Sequence, residues 1–264
     1  MAGRAVHGAQ SDARAVLVKL GRLCFDDFLQ LSPRTLDCEH WTPDIAADWT
    51  LATNNAPHIQ RHFRFQIADC RFPEATIDSI RAAQARLVSD FAYDLLRAKA
   101  PPLYDALPWH DWDFSIVTRR FPLWRTKLLL AGDGTTVTMC RCRKSAGVYA
   151  VEPNQTIARY TERKAEMEKA RRLRVLNSSL TSSLPLPASS VDLAIIGSVP
   201  SLDAAGWKSL VRELARVAAS VLLIENNPLC RPLDETSLTD SGFRSDSVEV
   251  SGLGRSRCWW RPPA

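Results

Sequence analysis

Two stretches in the C-terminal half, VDLAIIG (191–197) and SVLLIE (220–225), constrain the fold more than any other feature. A strand with one wet face alternates apolar and polar side chains, whereas these runs are apolar almost throughout. Such runs belong to strands buried on both faces, as in a largely parallel sheet covered by helices. RTKLLLA (125–131), GVYAVE (147–152) and LRVLN (173–177) read as further strands of the same sheet. Helical patterns separate them. QTIARYTERKAEMEKARR (155–172) is a solvated helix laced with i,i+4 charge pairs, and DAAGWKSLVRELARVAA (203–219) puts Trp207, Leu210, Leu214 and Val217 on one stripe. The chain closes with FRSDSVEV (243–250) and RSRCWWRP (255–262) around a Gly-Leu-Gly turn, an antiparallel hairpin. The expected class is α/β: a doubly wound, mostly parallel seven-stranded sheet with an antiparallel C-terminal hairpin strand.

The N-terminal half has no such alternation and reads as a mainly helical extension. DARAVLVKLGRLCFDDFLQL (12–31) is one expected helix, ended by Ser32-Pro33. A second covers 76–100, with Thr76 as its N-cap, Ile77, Ile80, Leu87, Phe91 and Leu95 at helical spacing, and Pro101-Pro102 as its stop. Between them, residues 38–70 hold prolines and polar clusters that do not suit one long element. This divides the chain into a helical region over 1–120 and a sheet domain over 121–264. With 264 residues and 45% apolar content it can bury a sizeable core.

Charge narrows the partners only slightly. Lysine and arginine number 34 against 29 acids, a formal charge of +5 that is compatible with RNA and equally with a mixed solvated surface. No apolar run approaches the ~18 residues of a membrane span, so no membrane partner is expected. Seven scattered cysteines suit reduced thiols in an intracellular protein better than a disulfide framework. Cys140 and Cys142 form a close pair, but neither they nor His7, His40, His58, His62 and His110 make a ligand pattern, so no metal is expected. A cytoplasmic protein is the simplest expectation. The Arg- and Ala-rich N-terminus offers a mitochondrial alternative, which Asp12, Asp26 and Asp27 weaken.

KLLLAGDGTT (127–136) runs from a buried strand into two glycines, Gly132 and Gly134, which lets backbone approach a ligand or simply makes a turn. Its context brings a family into view. LLLAGDGTT is similar to an aliphatic strand followed by Asp-x-Gly-x-Gly-x-Gly, and VYAVEPN to a second strand ending in an acid. SLPLPASSVDLAII looks like a Leu-Pro stretch running into a buried strand, and LVRELARVAASVLLIE like the helix leading into a fifth strand. In that order, over residues 122–261, they resemble the class I (Rossmann-like) S-adenosylmethionine-dependent methyltransferases. Leu130 and Thr136 stand where that family has an acid and a third glycine.

The resemblance implies S-adenosylmethionine as cofactor. It places Ala131, Gly132, Asp133 and Gly134 against the methionine moiety, and Glu152, followed by Pro153, on the ribose hydroxyls. Ser178 and Ser179 fall where the family contacts adenine, and Gly197 and Ser198 where it flanks the transferring methyl. The implied activity is methyl transfer to an unidentified acceptor, a small molecule, RNA or protein. The alternative is a catalytically inactive subunit of this fold with a structural or RNA-binding role in a larger complex. A nicotinamide-dependent enzyme is disfavoured by the antiparallel ending and the incomplete G-x-G-x-x-G. Substrate specificity in the family comes from added elements, which here means the N-terminal region acting as a substrate cap.

The most unusual text is PWHDWDFSIVTRRFPLWRTK (108–127), directly upstream of the glycine loop. Its rings and arginines could line a substrate pocket with His110 or Asp113 as the base, or stack on single-stranded RNA. They could also simply pin the N-terminal region onto the sheet.

Overall fold

Each apolar run read as a strand forms one. The computed structural model of the chain describes residues 2–30, 43–53, 76–132, 134, 141, 143–198, 204–230 and 232–263. Its strands are β1 (Lys127–Ala131), β2 (Gly147–Val151), β3 (Leu173–Leu176), β4 (Val191–Gly197), β5 (Ala218–Ile224), β6 (Arg244–Val250) and β7 (Gly254–Arg261). Among the described residues they make a seven-stranded sheet in the order β3-β2-β1-β4-β5-β7-β6. Strands β1 to β5 are parallel, and β7 lies antiparallel between β5 and β6. The expected α/β class, parallel sheet and closing hairpin are all observed.

Burial explains the apolar runs. Apart from Asp192 and Ala219, every residue of β4 and β5 is buried, and Leu193, Ile195, Ile196, Leu222 and Leu223 are fully so. Each such side chain contributes about 1.5–3 kcal/mol by leaving water. Asp192, the polar exception in β4, accepts the Lys127 amide at 2.6 Å and so fixes the start of β1.

The helix Gln155–Met167 connects β2 to β3, and Ala204–Val217 connects β4 to β5. Asn154 caps the first by accepting from Thr156 and Ile157 N–H at 3.0 and 3.1 Å. This helix ends before residue 172, and Lys169 beyond it adopts a left-handed φ of 55°. Ala218 and Ala219, read from sequence as the helix end, belong instead to β5. Pairing of Ala218 with Val191 claims their backbone for the sheet.

Glu213 on the second helix ties down the turn before β4. It accepts from the Leu184 amide at 2.6 Å and from Arg216 Nε at 2.9 Å, while Arg216 donates to Leu186 O at 2.7 Å. The Arg216 guanidinium, more than the Leu184 amide, holds the Glu213 carboxyl below the ordinary glutamate range. A carboxyl lowered in the folded state stabilises above its unfolded pKa, and that contribution disappears as pH falls through the folded value. Glu213→Gln is therefore expected to lower the urea midpoint at pH 7. The gap to the wild type should begin to close below the ordinary glutamate value of 4.5 and vanish only below the lower folded value. A gap of constant size from pH 7 down to acid would contradict this.

The chain forms two compact units, Met1–Leu103 and Tyr104–Ala264. Residues 104–120, grouped on sequence with the helical half, lie in the sheet unit. There Trp112 bridges to Val250, and Phe121 stacks on Trp260 at 6.0 Å. In the first unit the described helices are Ala2–Gly21, Phe25–Gln30, Pro43–Ala52, Ile77–Asp90 and Ala92–Lys99. The single helix expected over 12–31 is broken where Arg22 turns left-handed, and that over 76–100 breaks at Phe91. Thr76 caps as expected, accepting from Ser79 N–H at 3.1 Å while Ser79 Oγ accepts from Thr76 N–H at 2.9 Å. Phe28 centres this unit's core, with the Trp49 and Phe91 rings at 5.7 and 5.2 Å. Pro101 opens a short helix, Pro101–Asp105, because proline's fixed φ suits a first helical position. Of the irregular stretch expected over 38–70, residues 43–53 are described and the remainder lies outside the described residues. No described helix is long and apolar enough to cross a membrane.

Candidate functional site at the carboxyl ends of the strands

A parallel sheet whose order reverses between two neighbouring strands opens a crevice at their carboxyl ends, where ligands bind. Here the reversal falls between β1 and β4, because the chain runs outward from β1 to β2 and β3 before returning to β4. The register aligns the strand ends side by side: Ala131 sits opposite Val151 in β2 and Ile196 in β4, and Val151 opposite Leu176 in β3. Gly132, Glu152, Ser178, Gly197 and Ser198 therefore form one rim.

Gly132 is held tightly. It has φ +73°, and a Cβ there would lie 1.8 Å from Gly197 O and 3.2 Å from Ser198 Cβ. Gly134 is as confined, since a Cβ would fall 2.8 Å from His110 Nδ1 and 2.9 Å from Asp105 O. Both glycines thus serve the chain's own close packing. Asp133 and Thr136 lie outside the described residues, as do Cys140 and Cys142.

Glu152 is buried at the tip of β2. Its Oε1 accepts the Asn154 amide at 2.7 Å, and its backbone oxygen accepts from Asn177 Nδ2 at 2.9 Å, which ties the β2 and β3 ends together. Asn177 also reaches Pro153 O at 3.3 Å. Ser178 and Ser179 are engaged in a local network, Ser178 Oγ with Ser182 Oγ at 3.3 Å and Ser179 Oγ with Thr181 Oγ1 at 2.8 Å.

Ser198 is the anomaly of the rim. Its φ is +47°, uncommon for a residue with a side chain, and its buried hydroxyl has no hydrogen-bond partner among the described residues. Its amide donates to Asn226 Oδ1 at 2.6 Å, and Asn226 Nδ2 donates to Trp109 O at 2.9 Å. Asn226 is fully buried just past β5, so one side chain joins the β4 end to the 108–110 turn. Sequence reasoning missed Asn226.

The upstream aromatic segment crosses this end of the sheet. Asp113 N–H donates to Glu249 O and Ser251 N–H to Asp111 O, both at 2.8 Å, so the segment pairs with the closing hairpin. Trp109, His110 and Trp112 are buried and Trp124 is exposed. His110 packs edge-on against Tyr104 at 4.8 Å, and Lys164 pairs with the buried Asp105 at 2.6 Å. Arg141, also buried, lies 3.9 Å from the Trp112 ring centre and 4.4 Å from that of Phe114.

These groups border a cavity of about 880 Å³ whose lining includes Asp105, His110, Trp112, Phe114, Arg141 and Lys144. That volume lies within the range of small-molecule sites. His110 belongs both to the cavity and to the packing around Gly134. Asp113 does not line the cavity. Its carboxylate accepts from Ser115 Oγ at 2.6 Å and Ser115 N–H at 2.9 Å. The Ser115 hydroxyl in particular holds it below the ordinary aspartate range. Among the described residues no group of three His, Cys, Asp or Glu is placed to hold a metal.

Two groups at this rim are placed to receive a polar ligand: the buried Glu152 carboxyl past β2 and the Ser198 hydroxyl past β4, which has no partner among the described residues. Comparison with known proteins finds no matching family model and no matching curated protein. Solved structures do match. Some 60% of this chain aligns with 93% of an S-adenosylmethionine-dependent methyltransferase from Aquifex aeolicus, at 20% identity and a TM-score of 0.46. The cyclase SpnF aligns over 57% of this chain and 80% of its own, at 16% identity and 0.46. The 23S rRNA methyltransferase ErmE aligns over 57% and 66%, at 15% identity and 0.40. By its own strand order and antiparallel ending, the sheet unit has the class I methyltransferase-like architecture that the sequence resembles.

Proposed function

We propose that the sheet unit binds S-adenosylmethionine along the β1, β2 and β4 ends and transfers its methyl group to an acceptor held in the adjoining cavity. The observation that carries this reading is Ser198, where backbone strain and a buried hydroxyl without a partner among the described residues coincide at the crevice. Strain of this kind costs about 1–3 kcal/mol and collects at ligand sites. Glu152 supports it, since its Oε1 is oriented by the Asn154 amide. In this reading Glu152 receives the ribose hydroxyls, and Ser178 and Ser179 border the adenine. Ala131, Gly132 and Gly134 shape the backbone around the methionine end, Pro153 follows Glu152 at the ribose, and Gly197 with Ser198 flanks the transferring methyl.

When bound, the cofactor supplies a methyl group on a cationic sulfonium. Because that group is already activated, the chain's main task is to align the acceptor. An acceptor that must lose a proton needs a base, and His110, at the cavity wall beside Gly134, takes that role.

Calorimetric titration with S-adenosylhomocysteine tests the cofactor site. Wild type should bind, and both Glu152→Gln, which keeps an acceptor for the Asn154 amide, and Glu152→Ala should weaken binding at least about tenfold. No heat from a folded wild type at millimolar ligand would sink the reading.

A further inference from the structure

We propose that the face at the amino ends of β1, β2 and β3, opposite the crevice, binds single-stranded nucleic acid. This does not rest on the methyltransferase reading, because the surface needs no cofactor; Arg143 and Lys144 also border the cavity described above.

Trp124 is the starting point. It is 65% exposed, unlike the buried tryptophans of the same segment, and the Arg125 guanidinium lies 4.1 Å from its ring centre. An exposed indole beside a guanidinium offers a base both a stacking face and a cation. Hydrogen bonds then bring two more basic segments alongside. The Ala146 amide lies 3.1 Å from Leu123 O and 3.0 Å from Thr126 O, which seats the loop carrying Arg143 and Lys144 against Trp124 and Arg125. Arg172 Nη1 donates to Ser145 O at 2.8 Å, and Val148 N–H to Arg172 O at 2.9 Å, which adds Arg171 and Arg172.

The result is a row of exposed cations, Arg125, Lys127, Arg143, Lys144, Arg171 and Arg172. Among them, Glu168 pairs with Arg143 at 3.1 Å and offsets that cation, and Asp192 accepts the Lys127 amide. Charge complementarity selects a polyanion. The exposed ring selects one whose bases are free to stack, because a duplex hides its base faces. An acidic protein would use the cations and leave the indole without a role; an anionic membrane would use both, and the vesicle comparison below separates it from a single strand.

Fluorescence anisotropy on the full chain, with labelled mixed-sequence RNA and DNA single strands of about 20 nucleotides and the matching duplexes, tests the proposal. Single strands should bind more tightly than duplex at about 50 mM salt, with log K falling linearly in log salt. Trp124→Ala should weaken single-strand binding about tenfold. Arg125→Gln and Arg171→Gln should each reduce the salt slope by about 0.7. All three positions are exposed, so unchanged urea midpoints are expected and confirm folding. The proposal is overturned by no binding at that salt. It is equally overturned if single strand, duplex, heparin and phosphatidylserine vesicles bind alike and Trp124→Ala changes nothing.

Discussion

Gly132→Ala is expected to destabilise the sheet unit by about 2–5 kcal/mol, from left-handed strain plus steric overpacking. The added methyl would sit 1.8 Å from Gly197 O, so the β4 end must move away from β1 to admit it. No rotamer change can relieve the clash, because the methyl has no rotamer and Gly197 O is backbone. Gly242→Ala serves as the control. Gly242 also has positive φ, +82°, but nothing lies within 4 Å of its Cβ position, so it reports the conformational cost alone at about 1–2 kcal/mol. Urea unfolding of both variants should separate the two contributions. Equal losses at the two positions would mean that the approach of β1 to Gly197 is looser than described.

Asn226→Ala carries the second large effect, about 2–4 kcal/mol, because it strands two groups at once. The Ser198 amide loses its acceptor and Trp109 O loses its donor. Asn226→Asp splits the pair: an aspartate still accepts from Ser198 but turns a carboxylate oxygen toward the Trp109 carbonyl. It should therefore keep slow hydrogen exchange at the Ser198 amide while losing stability. Neighbouring Asn227 is also buried, yet it makes a local bond to the Leu229 amide at 2.9 Å. Asn227→Ala should cost about 1 kcal/mol and leave Ser198 exchange untouched. Fast Ser198 exchange in both alanine variants would show that the link through Asn226 is not what holds the β4 end.

The strands were legible because burial on both faces writes itself as an apolar run, and the closing hairpin because Gly252 and Gly254 punctuate it with positive φ. Helix ends were less legible. The first helix ends at Gly21, where a Cβ would meet Leu23 and Leu96, and Arg22 turns left-handed after it; Phe91, packed on Phe28, breaks its helix with no glycine or proline. At the rim, the sequence put Gly132, Glu152, Gly197 and Ser198 on neighbouring strand ends, and the register brings them together. What it could not reveal is what each glycine avoids: that Gly132 faces a carbonyl and Gly134 a histidine is known only from three dimensions. Asn226 escaped because a polar residue after a strand looks like any loop residue. The available signal was its place at the end of β5, beside β4.

The pairing of residues 111–113 with the hairpin also bears on self-association. Strand β6 is an outer strand of the sheet, and a bare outer strand invites another chain to add to it. Trp112 occupies the rung at Val250, and the amide of Asp113 takes the oxygen of Glu249. Farther along β6, Arg244 and Asp246 present charge where a foreign strand would have to settle. The opposite margin, β3, is only four residues long and carries Arg174. Both margins of the sheet thereby discourage edge-on growth, which sets the wide, apolar interior of β1, β4 and β5 apart from templating aggregation.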